Sequence, residues 1–241
     1  RGALAAFQSA LTPLKNTDLF DVLSAQSADI EAFTATADSD AVAGSYEIEV
    51  QQLAKAEQLV SNAFVSGASS VVGDGTLTVT LGTTAFSVGI GAAANTLAEI
   101  RDAINTAGDN PGVRATLVYG QTGARLVLSS TATGASNSIR VSAAGGDGGL
   151  AQLTYAGGVS PNYTQNQAAQ DAIVRISGVE KHSASNVISD AIDGVAITLK
   201  SADPGNTATL TIANDQDAVA ANVRKFVTAY NAMRTKLDTL S

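Results

Sequence analysis

Apolar residues recur at alternating spacings of four and three along the last stretch of the chain: Val219, Val223, Phe226, Tyr230, Met233, Leu237 and Leu240. Sustained over three heptads, that rhythm predicts a supercoiled helix, capped at its start by Asp215. At about 1.5 Å per residue the helix would run about 35–40 Å, longer than a small β-domain needs for cover. Leu4, Phe7, Leu11 and Leu14 repeat the same spacing at the other end, where Pro13 and the polar Lys15-Asn16-Thr17-Asp18 run end the helix near residue 14. Between the two helices the period falls to two. Tyr46, Ile48 and Val50 alternate with Glu47, Glu49 and Gln51, a half-buried strand, and Ile30 to Thr36 alternates in the same way.

The small-residue stretch Ser66 to Gly75 reads as a crossing between domains, because such residues bury little. Beyond it, 75–81 and 85–90 flank Gly82-Thr83-Thr84 as a hairpin. Asn95 or Thr96 caps a helix to Thr106, with Leu97, Ile100, Ala103 and Ile104 on one face. Strands are predicted at 113–118 and 125–129, and the run Ser160 to Gln167 leads back out, so 74–161 reads as an insertion. An echo follows: Ile100-Arg-Asp-Ala-Ile104-Asn is matched by Ile188-Ser-Asp-Ala-Ile192-Asp, which predicts a second strand-helix-strand copy.

Composition changes the picture mainly by exclusion. The 241 residues are 45% hydrophobic, enough for a packed core, and only 15% charged. A net charge of −8 with no Lys/Arg run argues against nucleic acid. Without cysteine there are no disulfides, thiolate nucleophiles or Cys-ligated metals. No stretch reaches the roughly 18–20 apolar residues that span a bilayer. Both ends open inside helical patterns, which predicts a fragment whose targeting segments lie outside it.

Candidate chemistry is sparse. His182 stands alone, is expected in an exposed loop, and has neither Cys nor second His to build a metal site or triad. The loop Gly145-Gly-Asp-Gly-Gly lacks the Lys-Ser/Thr of a P-loop. Asp147, Asp193 and Asp203 sit beside glycine or proline, where aspartate bonds its own backbone. No acid, base and nucleophile assemble, so no enzyme, cofactor or metal is expected.

Four segments carry a resemblance: Gly44-Ser-Tyr46-Glu-Ile-Glu-Val-Gln-Gln-Leu53-Ala54-Lys-Ala, Thr96-Leu-Ala-Glu-Ile100-Arg-Asp-Ala-Ile104-Asn105, Thr133-Gly-Ala-Ser-Asn137, and Phe226-Val-Thr-Ala-Tyr230-Asn231. Their order and spacing resemble the bacterial flagellar filament-capping family, hook-associated protein 2, over nearly the whole chain. The resemblance implies a secreted, extracellular protein that forms an oligomeric lid at the filament tip and helps exported flagellin fold and insert. Its implied partners are further copies of itself, flagellin, an export chaperone and, in a secondary adhesive role, mucin or host glycans. The expected fold is α+β: two β-rich heads, one inserted in the other, on an antiparallel coiled-coil-like leg formed by both chain ends. On that plan 1–20 and 214–241 form the leg, 21–73 and 162–213 the first head, and 74–161 the second. An adhesin, a role that can coexist with capping, and a glycan-active enzyme are the competing readings, the latter resting only on Asp-rich loops.

Overall fold

The computed structural model describes residues 2–15 and 22–239. In chain order its elements are helix α1 (Gly2–Leu11), strands β1 (Leu23–Ser27), β2 (Phe33–Ala37), β3 (Gly44–Gln52), β4 (Gln58–Ser61), β5 (Gly75–Leu81) and β6 (Thr84–Ile90), and helix α2 (Leu97–Thr106). There follow β7 (Val113–Gly120), β8 (Gly123–Ser130), β9 (Ile139–Ala144), β10 (Tyr163–Gln167), β11 (Ala172–Ile176), β12 (Val179–Ser183), β13 (Val187–Ile192), β14 (Val195–Leu199), β15 (Ala208–Asn214) and helix α3 (Gln216–Asp238). Strands dominate the body and helices hold the ends, an α+β architecture. Among the described residues no helix is long and apolar enough to cross a membrane.

The chain divides into two compact units. The first comprises 1–50, 175–181 and 187–241, and the second 51–174 with 182–186. The division falls inside β3 and inside β11 rather than in linkers. In the first unit a five-stranded sheet has the order β1-β15-β3-β11-β12, and a three-stranded sheet the order β13-β14-β2. Alternation decides what they bury: Ile48 and Val50 of β3, Leu210 and Ile212 of β15, and Ile197 and Leu199 of β14 face inward with Phe33.

The second unit holds sheets β10-β4-β8-β7 and β6-β5-β9 together with α2. One core serves all of it, including Leu59, Leu77, Val79, Phe86, Leu97, Ile100, Ile104, Leu126, Leu128 and Ile139. The expected hairpin forms, but its turn has two residues rather than three: Gly82 sits at φ +60, and Thr84 belongs to β6, paired with Leu81. Helix α2 starts with a capping box: Thr96 Oγ1 accepts from Glu99 N–H, and the Glu99 carboxylate accepts from Thr96 N–H.

Four expectations change. Residues Ser66–Gly75 are no linker: Val72 is buried, Leu97 N–H donates to the Ser70 carbonyl, and a Cβ on Gly73 would lie 2.7 Å from Gly149 Cα. Small residues serve close approach there. Likewise the run read as the way out contains β10, whose Tyr163 joins the second unit's core. The expected second helix at Ile188–Ile192 is strand β13. Its β-branched Val187, Ile188 and Ile192 favour a strand, and Asp193-Gly194 closes a hairpin that pairs Ile192 with Val195. Helix α1 also stops at Leu11, and Pro13–Lys15 forms a 3-10 turn.

Candidate functional site

The helical ends meet in the first unit. Asp215 caps α3 by accepting the Ala218 N–H at 2.8 Å, and Lys236 occupies the last turn, where a cation is favoured. Phe7 of α1 lies 5.5 Å from Phe226 and 6.2 Å from Tyr230 between ring centroids, and these two lie 6.4 Å apart. Each such pair adds about 0.5–1.5 kcal/mol beyond its area when buried. Leu11, Leu14, Val219, Phe226 and Met233 are half-buried. Yet α3 buries none of its described residues completely: Val223 is 42%, Tyr230 43% and Leu237 58% exposed, with Val227 beside them at 47%. The Leu4 side chain and Leu240 lie outside what is described. A helix with an apolar seam still half open to solvent is built for contact rather than for chemistry.

Two of the sequence motifs converge in the second unit. Asn186 binds both polar groups of Ala54, accepting its N–H at 2.7 Å and donating to its carbonyl at 3.0 Å. Gln170 Nε2 donates to the Leu53 carbonyl, and Gly134 N–H and Gln170 N–H donate to that of Lys55. Asp171 accepts the Ala135 N–H at 2.7 Å, while Thr133 Oγ1 donates to Ala184. Gly134 has φ +104, and a Cβ there would meet Ala184 Cβ at 2.6 Å, so this close approach needs glycine. Asn186, Gln170 and Asp171 carried no signal in the sequence because their partners are distant along the chain. Gly44, by contrast, is not sterically required, since a Cβ would only touch the Tyr46 ring at 3.6 Å.

The third motif secures α2. Ile100 and Ile104 are fully buried, while Asn105 clamps β7, donating to the Ala115 carbonyl at 2.8 Å and accepting its N–H at 2.9 Å. Asn110 does the same at Val113 and bonds Ile104 and Gly112 besides. Glu57, 2% exposed, accepts from Ile139 N–H and from Gln165 Nε2, tying β9 and β10 together. Asn231 is exposed on α3, its carbonyl accepting from Thr235 Oγ1.

The chemically active residue types are scattered. His182 is exposed, but on β12 rather than in a loop. Asp147 accepts the N–H groups of Asp74 and Gly149, and Asp203 accepts from Asn206 Nδ2, both in turns. Among the described residues no group of three His, Cys, Asp or Glu could hold a metal. A groove of about 500 Å3 in the first unit is lined by Tyr46, Ile176, Val179, Lys181, Asp190 and Ile192. Lys181 pairs with Asp190 at 2.7 Å, and that hydrogen bond holds the Asp190 carboxyl below its usual range.

Residues 1–57 match the flagellar hook-associated protein 2 N-terminus, 169–241 its C-terminus, and 76–132 the flagellin hook IN motif. The B-type flagellar hook-associated protein 2 of Pseudomonas aeruginosa is 36% identical over 97% of this chain and 52% of its own length. The chain thus spans about half the length of the curated relatives it matches. The D1-D2-D3 domains of the Escherichia coli flagellar cap protein FliD superpose with a TM-score of 0.83 at 32% identity, covering 100% of this chain and 68% of that one. FliD from P. aeruginosa superposes with a TM-score of 0.75 at 34% identity, covering 88% and 97%.

Proposed function

Since the chain belongs to the flagellar hook-associated protein 2 family, we propose that it is the leg-and-head portion of the cap at the distal, extracellular end of the flagellar filament. It works by shape and contact, without catalysis. Several copies form a lid that keeps exported flagellin from escaping and promotes its folding and insertion, and an export chaperone accompanies the protein to the secretion channel. The tip position also suits a secondary adhesion to mucin or host glycans. Residues 1–20 and 214–241 are the proposed leg. The border between the two heads we place where the compact units divide, at 50/51 and 174/175, with 182–186 belonging to the second head.

The single observation that carries the reading is the likeness of the whole chain to flagellar cap domains D1-D2-D3. The aromatic cluster of Phe7, Phe226 and Tyr230 supports the leg. Burying a large apolar side chain fully contributes roughly 1.5–3 kcal/mol; the half-buried Phe226 contributes part of that and Leu237, 58% exposed, less, and a carboxylate in place of either opposes the packing. Phe226→Asp combined with Leu237→Asp, in the full-length protein, should therefore loosen the leg while both heads keep their melts. Cells carrying it should leak flagellin monomer and lose tip density in electron micrographs. Normal motility and tip occupancy with the leg shown to be unfolded would refute the leg as the attachment. Binding to immobilised mucin by a variant that no longer caps would isolate the adhesive role.

A further inference from the structure

The second unit has four sheet edges, and three of them are interrupted along at least part of their length. At β7 the outward backbone groups of Val113 and Ala115 are taken by Asn110 and Asn105. At β9, Val141 exchanges both bonds with Tyr155, and Ile139 N–H donates to Glu57. At β10 the register breaks between Gln165 and Gln167. These are the devices that keep an edge from pairing with another chain.

Strand β6 has none of them. It pairs with β5 without a break from Thr84 to Ile90, and Thr84-Ala-Phe-Ser-Val-Gly-Ile contains no charge and no proline. The two-residue turn makes Leu81 and Thr84 a hydrogen-bonded pair, so Thr84, Phe86, Val88 and Ile90 bond to β5. The N–H and C=O groups of Ala85, Ser87 and Gly89 therefore point away from the sheet, and no described residue bonds them. All three residues are exposed, a Cβ on Gly89 would have nothing within 4 Å, and the Ser87 hydroxyl is turned onto Thr78 Oγ1 at 2.8 Å.

We propose that the outer edge of β6 takes up an extended, uncharged segment of an unfolded polypeptide as an added antiparallel strand. Backbone bonds supply the attraction, so the client's sequence matters little. The short side chains along the edge leave room for the client's own. A second folded copy suits the edge less well: seven residues give a contact about 23 Å long and about 10 Å deep, far below the roughly 1,200–2,000 Å2 that a stable pair of folded proteins buries. The inference deepens the proposed role in flagellin folding and rests on it only for the identity of the natural client.

The test uses the whole chain and a fluorescein-labelled peptide of about nine alternating threonine and valine residues. Peptide should bind, and amide exchange at Ala85, Ser87 and Gly89 should slow at least tenfold. Ser87→Pro removes an outward N–H at a position where an edge strand accepts proline, and should weaken binding at least tenfold, whereas Ser87→Ala should bind as the parent does. Unchanged exchange at those amides under saturating peptide overturns the proposal, as does undiminished binding to a Ser87→Pro variant that melts like the parent. Should Ser87→Pro fail to fold, Gly89→Lys takes its place by setting a charge on the edge: binding should again weaken at least tenfold, and undiminished binding overturns the proposal. Protection of the same amides without peptide, with a doubled mass in sedimentation as protein concentration rises, would make the occupant a second copy and overturn the peptide. Loss of capping by the leg variant is read separately, so the edge and the cap fail independently.

Discussion

Asn105 shows how a single polar side chain can hold a helix to a sheet. It sits at the end of a fully apolar face and supplies both partners that the backbone of Ala115 lacks at an edge strand. Replacing it leaves a part-buried N–H and C=O without their partners, which costs about 1–3 kcal/mol. Asn105→Ala should lower stability by that amount in urea denaturation, and Asn105→Asp should not restore it, because a carboxylate cannot donate to the Ala115 carbonyl. A loss below a few tenths of a kcal/mol would mean that water replaces the clamp. The Ile-Asn motif was legible in the sequence, but the bond it makes was not, since that depends on the register of β7. Asn110, Asn186 and Glu57 were invisible for the same reason: polar residues acquire structural roles only from partners that folding brings near.

At the scale of the element, α2 and β13 share the pattern Ile-x-Asp-Ala-Ile and fold differently. Local chemistry at the start decides it. Thr96 and Glu99 form the capping box, whereas the other copy has β-branched residues and a hairpin turn. The box has a pH signature. Bonds from the Thr96 hydroxyl, then from its backbone N–H, lower the Glu99 pKa from its ordinary 4.5. A folded-state pKa below the unfolded one adds stability that is full above the ordinary value and disappears as pH falls through the lowered value. The stability difference between the parent and Glu99→Gln should therefore stay constant from neutrality down to the ordinary carboxylate range and change below it. A difference independent of pH throughout would show that the Glu99 charge contributes nothing to the cap.

Across the whole molecule, the second unit encloses a core of its own, drawing Leu59 and Tyr163 from outside the 74–161 insertion read in the sequence. Residues 51–174 expressed alone should accordingly melt in one cooperative transition. The midpoint should fall below that of the unit in the intact chain, because Asn186 no longer binds Ala54. Binding of a hydrophobic dye without a cooperative melt would show that the core is not self-sufficient. Deleting 74–161 instead should expose Leu59 and Val72 and leave 51–73 and 162–174 exchanging amide protons rapidly.

Periodicity alone determined the helical ends, the alternating strands, the β5–β6 hairpin and the capped helix α2, because each is a local match between residue spacing and backbone repeat. The seam residues from Val219 to Leu237 were likewise readable as a pattern, whereas the motif positions Gly44, Leu53, Ala54, Ile100 and Asn105 were singled out by the resemblance to the family. Tertiary structure decided what they do. The closing of Asn186 on Ala54, the passage of Gly134 beside Ala184, the unit border inside β3 and β11, and the open outer edge of β6 all depend on residues far apart in sequence. Spacing along a chain carries the repeat of a helix or strand, whereas the partner of a backbone amide is chosen only when the core closes.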